Sequence, residues 1–432
     1  MKDTLRLTSE PTRRDFIMRS AQACLGVTVL DALASTRAGA VPFEGSSKAK
    51  QIATARNVIY LYMGGGMSHL DTFGVVPGAD TMGPTKTIKT SADGMQISEY
   101  LPLTAKQMHH GVVFNSMTST QGAHAQGNYF AHTSYTMRGA TRHPSMGAWL
   151  TRFQGKSNAS LPGSVIVTGD SKHPGPGFFD ASIAPLVVNN PAAGLQNSKR
   201  LASLPESDFD YRVSLSSKLD AGFQNAYDYK GVKNYSAVYK DAVKVMKSED
   251  LVAFNTSEEP EAMHNAYGHD NFGQGCLLAR RLIEHGVRFV EVSLGGWDTH
   301  QENFVRVPEK CYSLDQALSA LLADLDQRGM LNETMVVLTS EFGRTPKING
   351  NNGRDHYPKA FSSVIWGGGV KGGQVYGKTD RGIEVTENKM GPPDLNATIG
   401  YALGLPLDTV IYSPSKRPFT VADKGQPVTS IF

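Results

Sequence analysis

The stretch Thr334–His356, TMVVLTSEFGRTPKINGNNGRDH, decides the fold. It opens on Met335-Val336-Val337-Leu338, a short apolar run with two β-branched valines, which reads as a buried strand of a parallel or mixed sheet. Polar chemistry begins where the run ends: Ser340, Glu341 and Arg344, then Arg354, Asp355 and His356 after a Gly/Asn-rich loop. In open α/β sheets, ligand sites collect beyond the carboxyl ends of the strands. Glu341, Asp355 and His356 are metal-ligand types, and Arg344 and Arg354 are types that clamp anions. A surface loop with ordinary ion pairs accounts for the same residues, so the other strands have to decide.

Those strands repeat the pattern. Asn57–Tyr62 reads as the first strand and runs into Gly64-Gly65-Gly66-Met67-Ser68-His69-Leu70-Asp71. If the strands are parallel, the glycine turn delivers His69 and Asp71 to the same rim as Glu341. A phosphate-cradling loop is the rival reading, a weak one because no G-K-[ST] follows. Val287–Val292 alternates apolar and polar residues and ends in Gly295-Gly296-Trp297-Asp298-Thr299-His300. Asp298 and His300 resemble a metal-ligand pair, and Trp297 is a candidate pocket floor. Val112–Phe114 reads as a further strand, followed by the hydroxyl-rich turn Thr118-Ser119-Thr120 and a segment holding His124 and His132. A hydroxyl at such a turn serves as a helix N-cap or as a nucleophile. Each histidine is a site residue, a packed core residue or a surface one.

Helices alternate with the strands. Gly275–His285 places Leu277, Leu278, Leu282 and Ile283 on one side, and Leu314–Arg328 carries a stripe of leucines. Further strands are expected at 161–168 and 362–366 and a last helix at 396–403. This order predicts an α/β sandwich with helices on a largely parallel sheet. From about 189 to 265 apolar clusters thin out, which predicts a helical insertion or cap on one domain spanning 41–432.

The first 40 residues read as an address. Thr12-Arg13-Arg14-Asp15-Phe16-Ile17-Met18 resembles the twin-arginine export motif, a weakly apolar segment follows, and Ala38-Gly39-Ala40 is an A-x-A cleavage signal. The expected partner is the twin-arginine translocation machinery and the expected location is periplasmic or secreted. Asp31 breaks the apolar segment, so no stable membrane anchor is expected. The formal net charge of +3 is close to balance, and nothing points to nucleic acid. Beyond residue 40 two cysteines remain, Cys276 and Cys311. They are either a disulfide or two buried thiols, and their spacing is no metal motif.

The segments GGGMSHLDTF, GQGCLLARRLIEHGVRFVEV, GGWDTH, TSEFGRTPKIN, GRDHYP and DLNATIGYALGL resemble the exported domain-of-unknown-function family 1501, a family grouped with the alkaline phosphatase/sulfatase-like superfamily. The resemblance covers most of residues 57–432 and is weakest over 189–265. It implies a three-layer α/β/α fold with a metal site at the carboxyl ends of the strands. Under it Asp298 and His300 resemble the superfamily's Asp-x-x-x-His segment at shorter spacing, and His356 resembles its late ligand histidine. Glu341 sits where a strand ends in Asp-His, with Phe342 in place of the histidine, and Asp71 is the nearest substitute for a missing aspartate. The expected ligand set is therefore His69, Asp71, Asp298, His300, Glu341, Asp355 and His356, holding one or two divalent ions (zinc, manganese or calcium). Residues 114–139 resemble the sulfatase nucleophile segment but contain no cysteine, which leaves Thr118, Ser119 and Thr120 as nucleophile candidates, with Arg344 and Arg354 on the anion. The expected activity is hydrolysis of phosphate or sulfate esters, small-molecule or on glycans. The alternatives are a non-catalytic binding or assembly protein on the same fold, and a metal-free structural protein whose polar motifs are ion-pair networks.

Overall fold

The computed structural model describes residues 53–139, 141–169, 172–227 and 230–432; the export motif and cleavage signal lie outside these. Eight strands form one sheet: β1 (Asn57–Gly64), β2 (Gly111–Met117), β3 (Ser164–Val167), β4 (Leu186–Val188), β5 (Phe289–Gly295), β6 (Thr334–Thr339), β7 (Phe361–Gly367) and β8 (Gln374–Tyr376). Their order across the sheet is β8-β2-β7-β6-β1-β5-β3-β4. Strands β5, β1 and β6 run parallel at the centre, with Leu61 level with Val292 on one side and Leu338 on the other. Only β7 runs against both its neighbours. That reversal matters for the site: the start of β7, not its end, lies on the rim where β1, β5 and β6 finish, so the residues just before Phe361 arrive there too.

Alternation along β1 splits the core into two layers. Ile59, Leu61 and Met63 pack with Leu277, Leu278 and Leu282 of α6 (Asn271–Glu284) and with Leu314, Leu318 and Leu321 of α7 (Asn303–Gln327). Val58, Tyr60 and Tyr62 pack on the opposite face with Trp149 and Leu150 of α2 (Met146–Gln154) and Leu395 and Ile399 of α8 (Pro392–Ala402). Helix α1 (His124–Thr133) joins this second layer through Ala131. The result is helix–sheet–helix. Each fully buried leucine contributes about 1.5–3 kcal/mol, so the two leucine-rich helices hold their layer firmly.

Sequence periodicity located most of these elements but not their ends. α7 begins at Asn303, eleven residues before its leucine stripe, and runs through Pro308. α8 starts at Pro392-Pro393, where prolines suit a first turn that needs no N–H. Between Pro191 and Tyr267 the chain is helical: short 3-10 turns, α3 (Glu206–Ala226), α4 (Lys230–Met246) and α5 (Glu261–Tyr267). No described side chain of α3 is buried. Cys276 and Cys311 are free and buried. Among the described residues, no helix is long and apolar enough to cross a membrane.

Candidate metal centre

The turn after β1 sets the floor of the rim. Gly65 and Gly66 have positive φ, and a Cβ on Gly65 would stand 2.6 Å from the Asp298 backbone nitrogen. Only glycine lets the β1 turn lie against the backbone that follows β5. This close approach brings Asp298, from the loop after β5, beside Glu341 and Phe342, from the end of β6.

Asp298 is the hub. Its Oδ2 lies 3.4 Å from His124 Nε2; its Oδ1 lies 3.1 Å from His300 Nε2 and 3.4 Å from His356 Nε2, and it also takes a bond from Arg344 Nη2. The ligand atoms of His124, Asp298 and His356 all lie within 4.8 Å of one another, a spacing that can hold a metal ion.

The three rings are also held alike. His124 Nδ1 is 2.8 Å from Glu341 Oε1, His300 Nδ1 is 2.7 Å from Asp355 Oδ1, and His356 Nδ1 is 2.8 Å from the Gly122 carbonyl. A carbonyl or an ionised carboxylate only accepts, so each Nδ1 carries the proton. In the neutral rings the lone pair is then on Nε2, and all three Nε2 atoms face the Asp298 carboxylate. Lone pairs facing a carboxylate repel unless a cation stands between them. The Nε2 atoms of His124 and His356 are buried without any hydrogen-bond partner. An imidazole whose far nitrogen is fixed by an acceptor is the usual supporting arrangement for a metal-bound histidine. The donor set fits a divalent ion of the nitrogen- and oxygen-seeking kind.

The electrostatics are consistent. Burial pushes the Asp298 carboxyl up, but the Arg344 guanidinium outweighs it and leaves it below the usual carboxylate range. Burial likewise opposes ionisation of Glu341, which its bonds from His124 and the Gly65 N–H overcome. The Glu341 bond raises His124, whereas burial lowers His356. The His300 bond holds Asp355 low. Glu341 is saturated: Oε1 takes His124 and the Gly65 N–H, and Oε2 takes the Tyr62 hydroxyl at 2.9 Å. The Phe342 ring lies against His124 and His356, with centroids 5.1 and 4.7 Å away, and closes the inner side. The outer side is open, with the Asp298 and His300 side chains 45% and 43% exposed.

The candidate residues named from sequence thus divide. Asp298, His300 and His356 come together as potential ligands. Glu341 and Asp355 stand one bond behind, as orienting groups for His124 and His300. His69 and Asp71 are not on the rim. His69 is buried with Nε2 2.9 Å from the Gly382 carbonyl. Asp71 is buried in an ion pair with Arg354 at 2.9 Å and also takes Ser68, Thr85 and Asn303. The arginines are structural. Arg344 donates to the carbonyls of Gly65, Gly66 and Arg354 and to Asp298, and Arg354 to those of Thr345, Pro346, Thr81 and Met82. Neither turns a free fork outward. Thr118 donates to the Met390 carbonyl, Ser119 Oγ accepts from the Gln121 N–H, and Thr120 Oγ1 accepts from the Gln121 amide. Among the described residues none of the three hydroxyls bonds to the cluster. Trp297 packs in the core and not on a pocket floor.

His124 is the candidate ligand that sequence reasoning left open. The signal was present in weak form: it follows a strand through a turn, as Asp298 and Glu341 do.

Among solved structures, the chain is similar to the lipoteichoic acid synthase LtaP from Listeria monocytogenes, at 11% identity over 82% of this chain and 74% of that one, TM-score 0.37. It is similar to the PsFucS1 sulfatase from Pseudoalteromonas sp., at 11% identity over 86% and 73%, TM-score 0.39. A third is the alkaline phosphatase from the Antarctic bacterium TAB5, at 14% identity over 76% and 95%, TM-score 0.34. No curated protein matches the chain in sequence. A family model described as protein of unknown function (DUF1501) matches residues 55–432, most of the chain, and the chain therefore belongs to that family.

Proposed function

We propose that this chain is an exported metal-dependent hydrolase of phosphate or sulfate esters, acting in the periplasm or outside the cell on a small-molecule or glycan ester. The observation that supports it most is the convergence of three Nε2 atoms on the Asp298 carboxylate, each ring fixed from behind through Nδ1. His124, His300, His356 and Asp298 would hold the ion, with zinc and manganese the best matches to three nitrogens and one carboxylate. A divalent ion there supplies Lewis-acid polarisation of an ester oxygen and a lowered pKa for water.

The chain's own residues do the remaining work. Glu341 and Asp355 keep the rings in the tautomer that presents Nε2. Arg344 locks the Asp298 carboxylate in place. Phe342 keeps water off the inner side, and the exposed outer edge admits the ester. With both arginines committed to carbonyls, an incoming anion meets its positive charge at the ion alone. The expected nucleophile is water and not a hydroxyl side chain.

The test is metal analysis of the purified protein followed by turnover of a panel of aryl phosphates and sulfates. About one divalent ion per chain and turnover abolished by His300→Ala are expected. A fully metallated protein inert on the whole panel defeats the hydrolase reading. The same two observations, committed arginines and hydroxyls bonded elsewhere, favour the second reading: a binding or assembly protein that uses the rim to hold a glycan or protein partner. Partner capture that needs the ion, without turnover, would select it.

A further inference from the structure

Beneath the rim lies a second group of titratable side chains, closed off from solvent. Glu291, in the middle of β5, is 3% exposed; His132 of α1 and His173 of the loop after β3 are 4% and 8% exposed. His132 Nε2 is 3.1 Å from Glu291 Oε1 and His173 Nε2 is 3.2 Å from Oε2. The three can be grouped as a metal pocket, yet their hydrogen bonds argue otherwise.

His173 Nδ1 accepts the Gly175 N–H at 3.0 Å, so its proton sits on Nε2 and is donated to Glu291. His132 Nδ1 faces the Asn128 carbonyl at 2.7 Å and must donate; Nε2 faces the carboxylate and must donate as well. His132 is therefore an imidazolium. Burial opposes that charge, and the Glu291 carboxylate outweighs it. No lone pair is left for an ion. The contrast is with His124 and His356 at the rim, whose Nε2 atoms are buried without partners.

What the triad joins gives it a use. His132 is two turns along α1 from His124. Glu291 is on the strand whose continuation supplies Asp298 and His300. The His132 ring lies 4.6 Å from that of Tyr62, whose hydroxyl bonds Glu341, the residue that holds His124. α1 meets the rim closely at Gly127, where a Cβ would stand 3.0 Å from Glu341 Cβ. A buried charge pair adds little net stability over apolar packing, but it is directional, and one slip of the helix breaks it.

We propose that His132, Glu291 and His173 are positioning residues: a buried charged clamp that seats α1 on β5 and so sets His124 against Asp298. This inference rests on the metal-centre reading above.

The test uses Co2+ as probe, titrated into the metal-stripped full chain against a competing chelator, with the visible d–d bands recorded. Glu291→Gln and His173→Gln are compared with Leu282→Ala, a cavity in the opposite layer that lowers stability without touching the clamp. Glu291→Gln and His173→Gln are expected to bind Co2+ about 10–100-fold more weakly, with altered bands. Leu282→Ala is expected to keep wild-type affinity and bands despite a lower Tm. Unchanged affinity and bands in both clamp variants would overturn the proposal, as would an equal loss in Leu282→Ala. If Glu291→Gln does not fold, His173→Gln carries the test, since it keeps the carboxylate but removes the imidazole that holds Oε2, leaving Glu291 free to turn away from His132. A wild type that takes up no Co2+ would instead overturn the metal centre, and the clamp with it.

Discussion

Asp71→Asn separates a metal ligand from a structural anchor. The Asp71 carboxylate is wholly buried and takes four donors: Ser68 Oγ at 2.5 Å, Thr85 Oγ1 at 2.6 Å, Asn303 Nδ2 at 2.9 Å and Arg354 Nε at 2.9 Å. Asparagine keeps the shape, but its amide nitrogen meets donors and its charge is gone. Arg354 is itself buried, and its remaining N–H groups go to four carbonyls, so no other anion takes over. Removing one partner of a buried pair costs about 3–5 kcal/mol. With about 2.1 cal/mol/K of unfolding entropy per residue, that is a Tm drop of about 5 °C for a domain of this size. The assay is denaturant and thermal unfolding beside elemental analysis of the same preparation. The expected result is a large loss of stability with metal content unchanged. Loss of metal at unchanged stability would refute the geometry and return Asp71 to the ligand set.

His124→Ala should lower metal occupancy at least tenfold by elemental analysis, although its chain neighbours are no metal motif. Thr118→Ala, Ser119→Ala and Thr120→Ala should each leave ester turnover within about twofold; near-abolition by any one would identify a hydroxyl nucleophile. Burial lowers His69 from 6.5 to about 4. The unfolded chain therefore takes up this proton first as pH falls, so stability is lost from about pH 6.5 down to about 4, by about 3 kcal/mol. His69→Gln should flatten that part of the stability profile measured by denaturant midpoint. Arg13→Lys/Arg14→Lys should leave precursor in the cytoplasm on fractionation, and normal periplasmic accumulation would refute twin-arginine export.

Sequence made the sheet readable because its central strands are buried on both faces. Val336-Val337-Leu338 and Ile59-Tyr60-Leu61 need apolar side chains at every position, and such runs stand out locally. That Asp298, His300 and His356 converge on one rim was readable as well, because each lies near a strand boundary visible in the chain. Asp71 and Arg354 were misassigned because a carboxylate that binds metal and one that anchors an arginine are the same letter. What distinguishes them is burial against Asn303 and Thr85, which only tertiary contact supplies. His124 was left open for the converse reason. Its partners, Glu341 and Asp298, come from β6 and the loop after β5, distant in sequence and adjacent only once the sheet order is known. The glycine turn Gly64–Gly66 was read as delivering His69 and Asp71 to the rim, but it serves to let the chain lie against the Asp298 backbone.

The four candidate ligand positions, 124, 298, 300 and 356, come from the two halves of the chain. The antiparallel strand β7, which brings His356 to the rim, must pair with β2 and β6 before the last of them is in place. A centre built from both halves would be complete only once the sheet has brought them together. An ion held there would be chosen where folding finishes. A chain that crosses a membrane already folded carries the metal that the cytoplasm keeps available, and one that folds after crossing takes whichever ion wins by affinity outside.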